Sequence, residues 1–249
     1  MKMKKAATTI FFLCLLIAFA FESPVNAQQF NCDNYLAMPH GTCTFVLTAG
    51  QRNATFVNSF ALIQDWEFFA QANLYWENQD RNLSQHFTTT LYMKYMFYEN
   101  AEKNGGFAAF LGYGQAPGYY QQSDFLYRHT NIWTAVPVTI PLFNNAVSWD
   151  IMPGGMVDFD YGNSKEAAWG FTYSTRMAIY KIIPESAIVG EYYGVAGELY
   201  STPEFKAGIR WEPNETVISA ITYGSAIEGL SGPGFEIGVI IFTPPFLKL

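Results

Sequence analysis

The stretch EAAWGFTYSTRMAIYKI, residues 166–182, decides the fold, because large apolar side chains alternate in it with small or polar ones. Successive side chains of a β-strand point to opposite faces of the sheet. The stretch therefore predicts a strand with one apolar face and one polar face that carries a charge. The apolar set is Trp169, Phe171, Tyr173, Met177 and Ile179, and the opposite set is Gly170, Thr172, Ser174, Arg176 and Ala178.

The same alternation recurs along the chain, whereas helical periodicity is scarce. Polar side chains oppose aromatic and aliphatic ones around Glu67, Lys94, Lys206 and Glu236. Turn-forming stretches such as KNGG, IPES and SGPG separate these segments. Counting the segments predicts about twelve antiparallel strands, or about ten if one hairpin is dropped.

Composition indicates which face of these strands points inward. Half of all residues are hydrophobic and only 14% are charged, against about 25% in an ordinary soluble protein. A soluble surface carries many Lys and Glu residues, whereas these polar faces hold mostly Thr, Ser, Gly, Ala, Asn, Gln and Tyr. In a transmembrane barrel the apolar face contacts lipid and the lumen is polar. We therefore predict an all-β, closed antiparallel transmembrane barrel over residues 44–249, with a soluble barrel or sandwich as the alternative.

The N-terminal region has the pattern of a secretory signal peptide. Three lysines within residues 1–5 precede an apolar run at residues 10–21, and Val25-Asn26-Ala27 supplies small residues for cleavage after Ala27. Removing residues 1–27 takes away three lysines and one glutamate and changes the net charge from −7 to −9. Such an acidic, exported chain is a poor candidate for binding nucleic acid.

Two cysteines remain after this cleavage, because Cys14 leaves with the signal. An even pair in an exported chain predicts a disulfide between Cys32 and Cys43. Residues 28–43 then form an N-terminal extension or plug. A zinc site with His40 would lack a fourth ligand, and we predict neither a metal nor a cofactor.

The whole mature chain resembles a bacterial outer-membrane β-barrel. The segment FEIGVIIFTPPF resembles the aromatic-ended last strand that the outer-membrane assembly machinery reads, with Phe242 or Phe246 as the terminal aromatic residue. The hairpin KAGIRWEPNETVISAITYG resembles late hairpins of transporter-like barrels associated with aromatic-compound degradation. The stretch QRNATFVNSFALIQDWEFFAQANLYW resembles early strands of nucleoside-specific channels. The resemblance implies insertion in outer-membrane lipid and contact with the assembly machinery.

We predict a channel or transporter for passive diffusion or uptake of a small, apolar or aromatic solute. A barrel of this size lies between the filled interior of about eight strands and the open pore of about sixteen. Lumen tyrosines such as Tyr75 and Tyr92 are candidates to contact a solute ring. Charged side chains on the polar faces of the predicted strands either line a selective path for the solute or pair with one another and fill the lumen. These residues are Glu67, Lys94, Arg176, Lys206, Arg210 and Glu236.

Two other functions stay open as alternatives. A structural or adhesive surface barrel needs long external loops, and the predicted external segments are short. They lie near residues 78–86, 116–124, 162–166 and 225–234. A lipid-modifying hydrolase needs a nucleophile and a base. Ser84 and His86 are the only candidate pair, and the sequence places no orienting acid beside them.

Overall fold

The computed structural model describes residues 31–51, 53–75, 86–114, 131–161, 166–227 and 233–247. All regular secondary structure in these residues is β. None of the segments described forms a helix that is long and apolar enough to cross a membrane. The strands are β1 (Cys43–Gly50), β2 (Asn53–Ile63), β3 (Trp66–Tyr75), β4 (His86–Glu99), β5 (Gly106–Gly114), β6 (Asn131–Ala135), β7 (Val138–Leu142), β8 (Val147–Tyr161), β9 (Glu166–Tyr180), β10 (Ser186–Gly197), β11 (Ser201–Asn214), β12 (Val217–Ala226) and β13 (Gly234–Phe242).

The strands form one closed antiparallel sheet. Apart from β6 and β7, which do not pair with each other, each strand pairs with its sequence neighbours, and β1 pairs with β13 to close the barrel. Strands β6 and β7 are two halves of one barrel strand, because both pair with β5 and β8 and keep the same register across the break. The barrel therefore has twelve strands, as the sequence predicts. Closure leaves no unpaired sheet edge, which is the condition for spanning lipid with β-structure.

Strand β9 shows which face is outside. The side chains of Trp169, Phe171 and Met177 are 55%, 47% and 43% exposed. On the opposite parity Thr172 and Arg176 are each 3% exposed. The apolar face therefore points away from the barrel and the polar face lines its interior, as predicted. The same holds for the segments around Glu67, Lys94, Lys206 and Glu236, all four of which are buried inside.

The two ends of the barrel differ. Short turns at residues 64–65, 100–105, 143–146, 181–185 and 215–216 lie at the end where β1 begins and β13 finishes, which we call the turn end. Asp65, Asn144 and Asn145 take positive φ in these turns, a conformation that Asp and Asn tolerate. At the opposite, loop end, most connections run through residues outside the described ranges. Those residues include most of the predicted external segments.

Residues 31–42, which we call the lumen segment, run inside the barrel. At the turn end the backbone N–H of Gly41 donates to the carbonyl of Ala61 at 2.7 Å, and that of Phe246 donates to the carbonyl of Gly41 at 2.8 Å. Deeper in the lumen the N–H of Cys32 donates to the Glu191 carboxylate on β10. The predicted signal peptide lies outside the described residues.

The predicted disulfide is absent, and this corrects the sequence analysis. Cys32 and Cys43 are both buried free thiols. Cys32 lies against β10, whereas Cys43 opens β1 and accepts a hydrogen bond from the Asn58 side chain at 3.1 Å. Strands β11, β12 and β13 separate β10 from β1 in the sheet. The two thiols therefore lie against different strands of the barrel wall.

Candidate functional site

A row of alternating charges crosses four neighbouring strands on the lumen face. Asp150 of β8 pairs in register with Arg176 of β9, Arg176 with Glu191 of β10, and Glu191 with Lys206 of β11. All four side chains are at most 6% exposed. Opposite charges at directly facing positions stabilise a strand pair. Together with Glu67 and Lys94 on the far wall, these four residues form what we call the charged layer.

Arg176 of the charged layer binds Asp150 through two nitrogens. Its guanidinium donates to Oδ2 of Asp150 from Nε at 2.9 Å and from Nη2 at 2.7 Å. The Thr139 hydroxyl donates to the other Asp150 oxygen at 2.6 Å. Two guanidinium N–H groups therefore converge on one carboxylate oxygen, and such charge-assisted hydrogen bonds are stronger than neutral ones.

Lys94 and Glu67 face each other across β3 and β4. The Lys94 ammonium lies 2.9 Å from Asp33 of the lumen segment and 3.5 Å from Glu67. The Glu67 carboxylate also accepts from the Ser59 hydroxyl at 2.5 Å and from the backbone N–H of Met38 at 3.4 Å. One buried cation therefore joins the barrel wall to the lumen segment.

The other predicted lumen charges are also paired. Lys206 lies 2.6 Å from Glu236, although β12 separates their two strands. Nearer the turn end, Arg210 lies 2.5 Å from Glu212 and donates to the Tyr180 hydroxyl. In this structure the predicted lumen residues therefore make ion pairs.

The lumen segment contacts both sides of the barrel. Asp33 and Met38 reach the wall at β3 and β4. On the opposite side the backbone N–H of Tyr35 donates to the Thr139 hydroxyl at 3.2 Å, and Cys32 contacts Glu191. Burial raises the pKa of the Cys32 thiol, because the low-dielectric interior disfavours the thiolate. The segment therefore crosses the lumen at the level of the charged layer.

Two cavities border the lumen segment. A cavity of about 290 Å³ opens among the turns at the turn end. A second cavity of about 20 Å³ lies between the segment and the wall near Glu67, Phe69 and Lys94, which is room for about one water molecule. The larger cavity is lined in part by Tyr35, Lys103, Asp150, Arg176, Tyr180 and Arg210.

Four aromatic side chains cover one side of the lumen, one in register with Lys94 and three nearer the loop end. We call them the aromatic wall: Phe69, Tyr92, Phe110 and Trp133, one from each of β3, β4, β5 and β6, all at most 7% exposed. The rings of Phe69 and Tyr92 stack with centroids 4.4 Å apart, and Tyr92 lies 5.4 Å from Trp133. The Lys94 ammonium lies 5.6 Å from the Phe69 centroid and 5.4 Å from that of Phe110.

A collar of neutral polar side chains follows closer to the loop end. The Thr55 hydroxyl and the Gln71 amide both donate to Oδ1 of Asn73, at 2.8 and 3.0 Å. The Asn73 amide donates to the Thr88 hydroxyl at 3.1 Å. From the loop end inward, this side of the lumen therefore presents amides and hydroxyls, then aromatic rings, then charges.

The sequence predicts which alternate residues of the strands face the lumen, but it does not predict every residue of the site. It placed Tyr92 on the lumen face, where the structure has it, but it did not identify Asp33, Asp150 or Trp133 as lumen contacts. Alternation marks Trp133 on the lumen side of β6, whereas nothing local in the sequence marks Asp33 as the partner of Lys94. Ser84 and the side chains of Tyr75 and His86 lie outside the described residues. Within the described ranges, no group of three or more His, Cys, Asp or Glu side chains is arranged to hold a metal ion.

No protein-family model matches this sequence, and no curated protein matches it. Solved structures of porins do share its fold. The KdgM porin matches with a TM-score of 0.55 at 8% identity, covering 80% of this chain and 98% of that chain. The same porin in complex with disordered oligogalacturonate gives 0.54 at 8% identity with the same coverage. The NanC porin gives 0.51 at 9% identity, covering 80% of this chain and 98% of that chain. At these identities the likeness establishes the fold.

Proposed function

We propose that this chain, which has the closed β-barrel fold of bacterial outer-membrane porins, is an outer-membrane channel for diffusion or uptake of a small solute. In this proposal the chain is exported after cleavage behind Ala27 and the outer face contacts lipid. The observation that carries the proposal is the lumen segment itself. A lumen that accommodates residues 31–42 has room for a small molecule once that segment moves. A twelve-stranded barrel lies between barrels of about eight strands, which side chains or one small ligand fill, and the open pores of about sixteen strands.

The charge of the lumen favours a neutral solute. Among the described residues, seven buried carboxylates accompany four buried cations. The carboxylates are Asp33, Glu67, Asp150, Asp158, Glu191, Glu204 and Glu236, and the cations are Lys94, Arg176, Lys206 and Arg210. A pore lined by excess negative charge opposes the entry of anions. The KdgM porin in complex with oligogalacturonate shares the fold, but the acidic lumen of this chain argues against such a polyanion as its solute.

The lumen segment controls passage in this proposal, and Asp33 is its main side-chain anchor. Asp33 binds Lys94, and Lys94 keeps Glu67 as a second partner when Asp33 leaves. Lys94 therefore keeps a carboxylate partner when the segment is displaced. A hydrogen bond to a charged group contributes about 1.5–3 kcal/mol. Loss of this contact then shifts the closed-to-open equilibrium by roughly 10-fold or more.

Single-channel conductance in planar bilayers tests the proposal. We expect the chain that begins at residue 28 to give discrete current steps, and Asp33→Asn to raise the open fraction by roughly 10-fold. Glu102→Gln, on the exposed β4–β5 turn, is the matched control and should leave the open fraction unchanged. Heat-modifiable gel mobility verifies that each variant is a folded barrel. The absence of current steps from a folded chain and from its Asp33→Asn variant would falsify the channel.

Solute selectivity is tested by vesicle swelling with galactose and galacturonate, which match in size and differ in charge. We expect galactose to enter faster, because the carboxylates of the lumen repel the anion. Equal or faster entry of galacturonate contradicts the assignment of a neutral solute. It leaves the channel itself intact.

A further inference from the structure

We propose that the aromatic wall is a binding site for a neutral, hydroxyl-bearing ring. This inference rests on the proposed function for the route by which the solute arrives. It names the solute class and the side chains that contact it. Phe110 faces Lys94 in register, and the other three side chains of the aromatic wall lie nearer the loop end than Lys94 and its contact with Asp33. A solute that enters from the loop end therefore meets the wall before it meets the lumen segment.

The first support is the orientation of the rings. Tyr92, Gly112 and Trp133 occupy one register row across β4, β5 and β6. The nearest atoms to a side chain placed at Gly112 all belong to the Trp133 indole. The absence of a side chain at this position lets the indole lie flat against the wall. Phe69 and Tyr92 stack on each other, and the Trp133 ring is tilted by 51° to that of Tyr92. The aromatic wall is therefore a platform of apolar ring surface and ring edges, and small-molecule pockets are lined by such side chains together with a few polar groups.

The second support is a set of unpaired polar atoms around this platform. The hydroxyl of Tyr92 and Nε1 of Trp133 are buried and have no hydrogen-bond partner, and neither does Oδ1 of Asn131. Asn131 precedes Trp133 by two positions and is 1% exposed on the same face of β6. Buried tyrosine hydroxyls and indole N–H groups ordinarily find a partner, and an unsatisfied buried group points to a missing water or ligand.

The hydrogen-bonding capacity of these three atoms indicates the class of solute. The indole N–H donates, the amide oxygen accepts, and the phenol hydroxyl does either. A solute hydroxyl group complements such a set because it also donates and accepts. A carboxylate only accepts, and it would approach the acidic lumen at a cost. The complementary ligand is therefore a ring with an apolar face and hydroxyl groups at its edge, either a neutral saccharide or a polyhydroxylated aromatic ring.

Saturation-transfer NMR on the chain refolded in detergent tests the site without requiring conduction. The probes are glucose, resorcinol and sorbitol, and sorbitol carries hydroxyl groups on an open chain. We expect transfer to glucose or to resorcinol, which identifies the ring class, and none to sorbitol. Tyr92→Phe removes only the unpaired hydroxyl and Trp133→Phe removes the indole N–H. Each should weaken binding of the positive probe by about 2- to 10-fold, the range for one neutral hydrogen bond.

The controls separate a binding role from a packing role. Tyr223→Phe and Trp169→Phe make the same chemical changes on the outer face, where these side chains are 46% and 55% exposed. They should leave the affinity unchanged. Unaltered affinity in both lumen variants overturns the site, as does the absence of transfer to either ring. If the site binds a ring but the chain does not conduct, the channel proposal fails and the binding site stands.

Discussion

Asp150 and Arg176 face each other directly across β8 and β9, and both side chains are buried. Two nitrogens of the guanidinium donate to the same carboxylate oxygen, at 2.9 and 2.7 Å. Removing one partner of a buried ion pair leaves a desolvated charge and costs about 3–5 kcal/mol. We expect Asp150→Asn to lower the free energy of unfolding by about this amount, measured by urea unfolding of the refolded barrel.

The pair of Arg210 and Glu212 provides the control for this experiment. Glu212 is 24% exposed, and Arg210 keeps the Tyr180 hydroxyl as an acceptor when Glu212 is replaced. Although Arg210 is buried, Glu212→Gln should therefore cost less than the roughly 3–5 kcal/mol expected for Asp150→Asn. The double variant Asp150→Asn with Arg176→Gln should recover part of the loss, because it buries no unpaired charge. If Asp150→Asn lowers the free energy of unfolding no more than Glu212→Gln does, the buried pair of Asp150 and Arg176 does not stabilise the barrel as proposed.

Cys32 is a natural probe of the position of the lumen segment. Its thiol is buried and its pKa is raised, and maleimides react with the thiolate, so labelling of the folded barrel should be slow. We expect Asp33→Asn to accelerate labelling by roughly 10-fold, because it weakens the contact that holds the segment against Lys94. Labelling rates are measured by mass spectrometry in a Cys43→Ser background, where serine retains an acceptor for Asn58.

Exposed Glu102→Gln serves as the reference variant for the labelling rate. If Cys32 reacts as fast in the parent chain as in unfolded protein, the segment does not reside in the lumen. If Asp33→Asn changes nothing while the parent chain is protected, other contacts hold the segment. The hydrogen bond between Cys32 and Glu191 is then the next one to remove.

The barrel is predictable from the sequence because each strand carries its orientation in its own residues. The alternation around Trp169 and Arg176 indicates two faces, and the scarcity of charge indicates which face meets water. Strand β8 also has one inward and one outward face, although Pro153 and two glycines interrupt the alternation of polar and apolar residues in its sequence. Its register with β9 continues through Pro153 and Gly154, so Asp150 and Asp158 both point inward.

The site is less predictable because its contacts join residues that are distant in sequence. Lys94 binds Asp33, which lies 61 positions away, and local periodicity contains no information on such a pair. An even pair of cysteines in an exported chain predicts a disulfide. In the structure Cys32 is instead a free thiol at the deep end of the lumen segment, where its backbone N–H donates to Glu191. The partner of a lumen side chain depends on the path of the lumen segment, and the sequence of that segment has no periodicity from which its path could be predicted.

The orientation of the barrel faces predicts opposite behaviour for two tryptophans. Trp169 is 55% exposed on the outer face, whereas Trp133 is 4% exposed in the lumen. Single-tryptophan variants in vesicles that contain brominated lipids should show strong quenching of Trp169 fluorescence and little quenching of Trp133. Comparable quenching of both residues, or folding of the chain in buffer without detergent, contradicts a lipid-facing outer surface.

The close approach of Trp133 to Gly112 predicts a substitution that disturbs the aromatic wall. A Cβ atom at Gly112 would meet the indole ring, whereas a Cβ atom at Gly190 of β10 would meet nothing within 4 Å. Overpacking of a filled interior costs about 1–3 kcal/mol. We expect Gly112→Ala to lower the free energy of unfolding by about this amount and to move the Trp133 emission maximum. Gly190→Ala should raise the free energy of unfolding by up to about 1 kcal/mol, since alanine loses less conformational freedom than glycine and encounters no obstacle there. It should leave the Trp133 emission maximum unchanged. Equal effects of the two substitutions would show that the indole does not rest on Gly112.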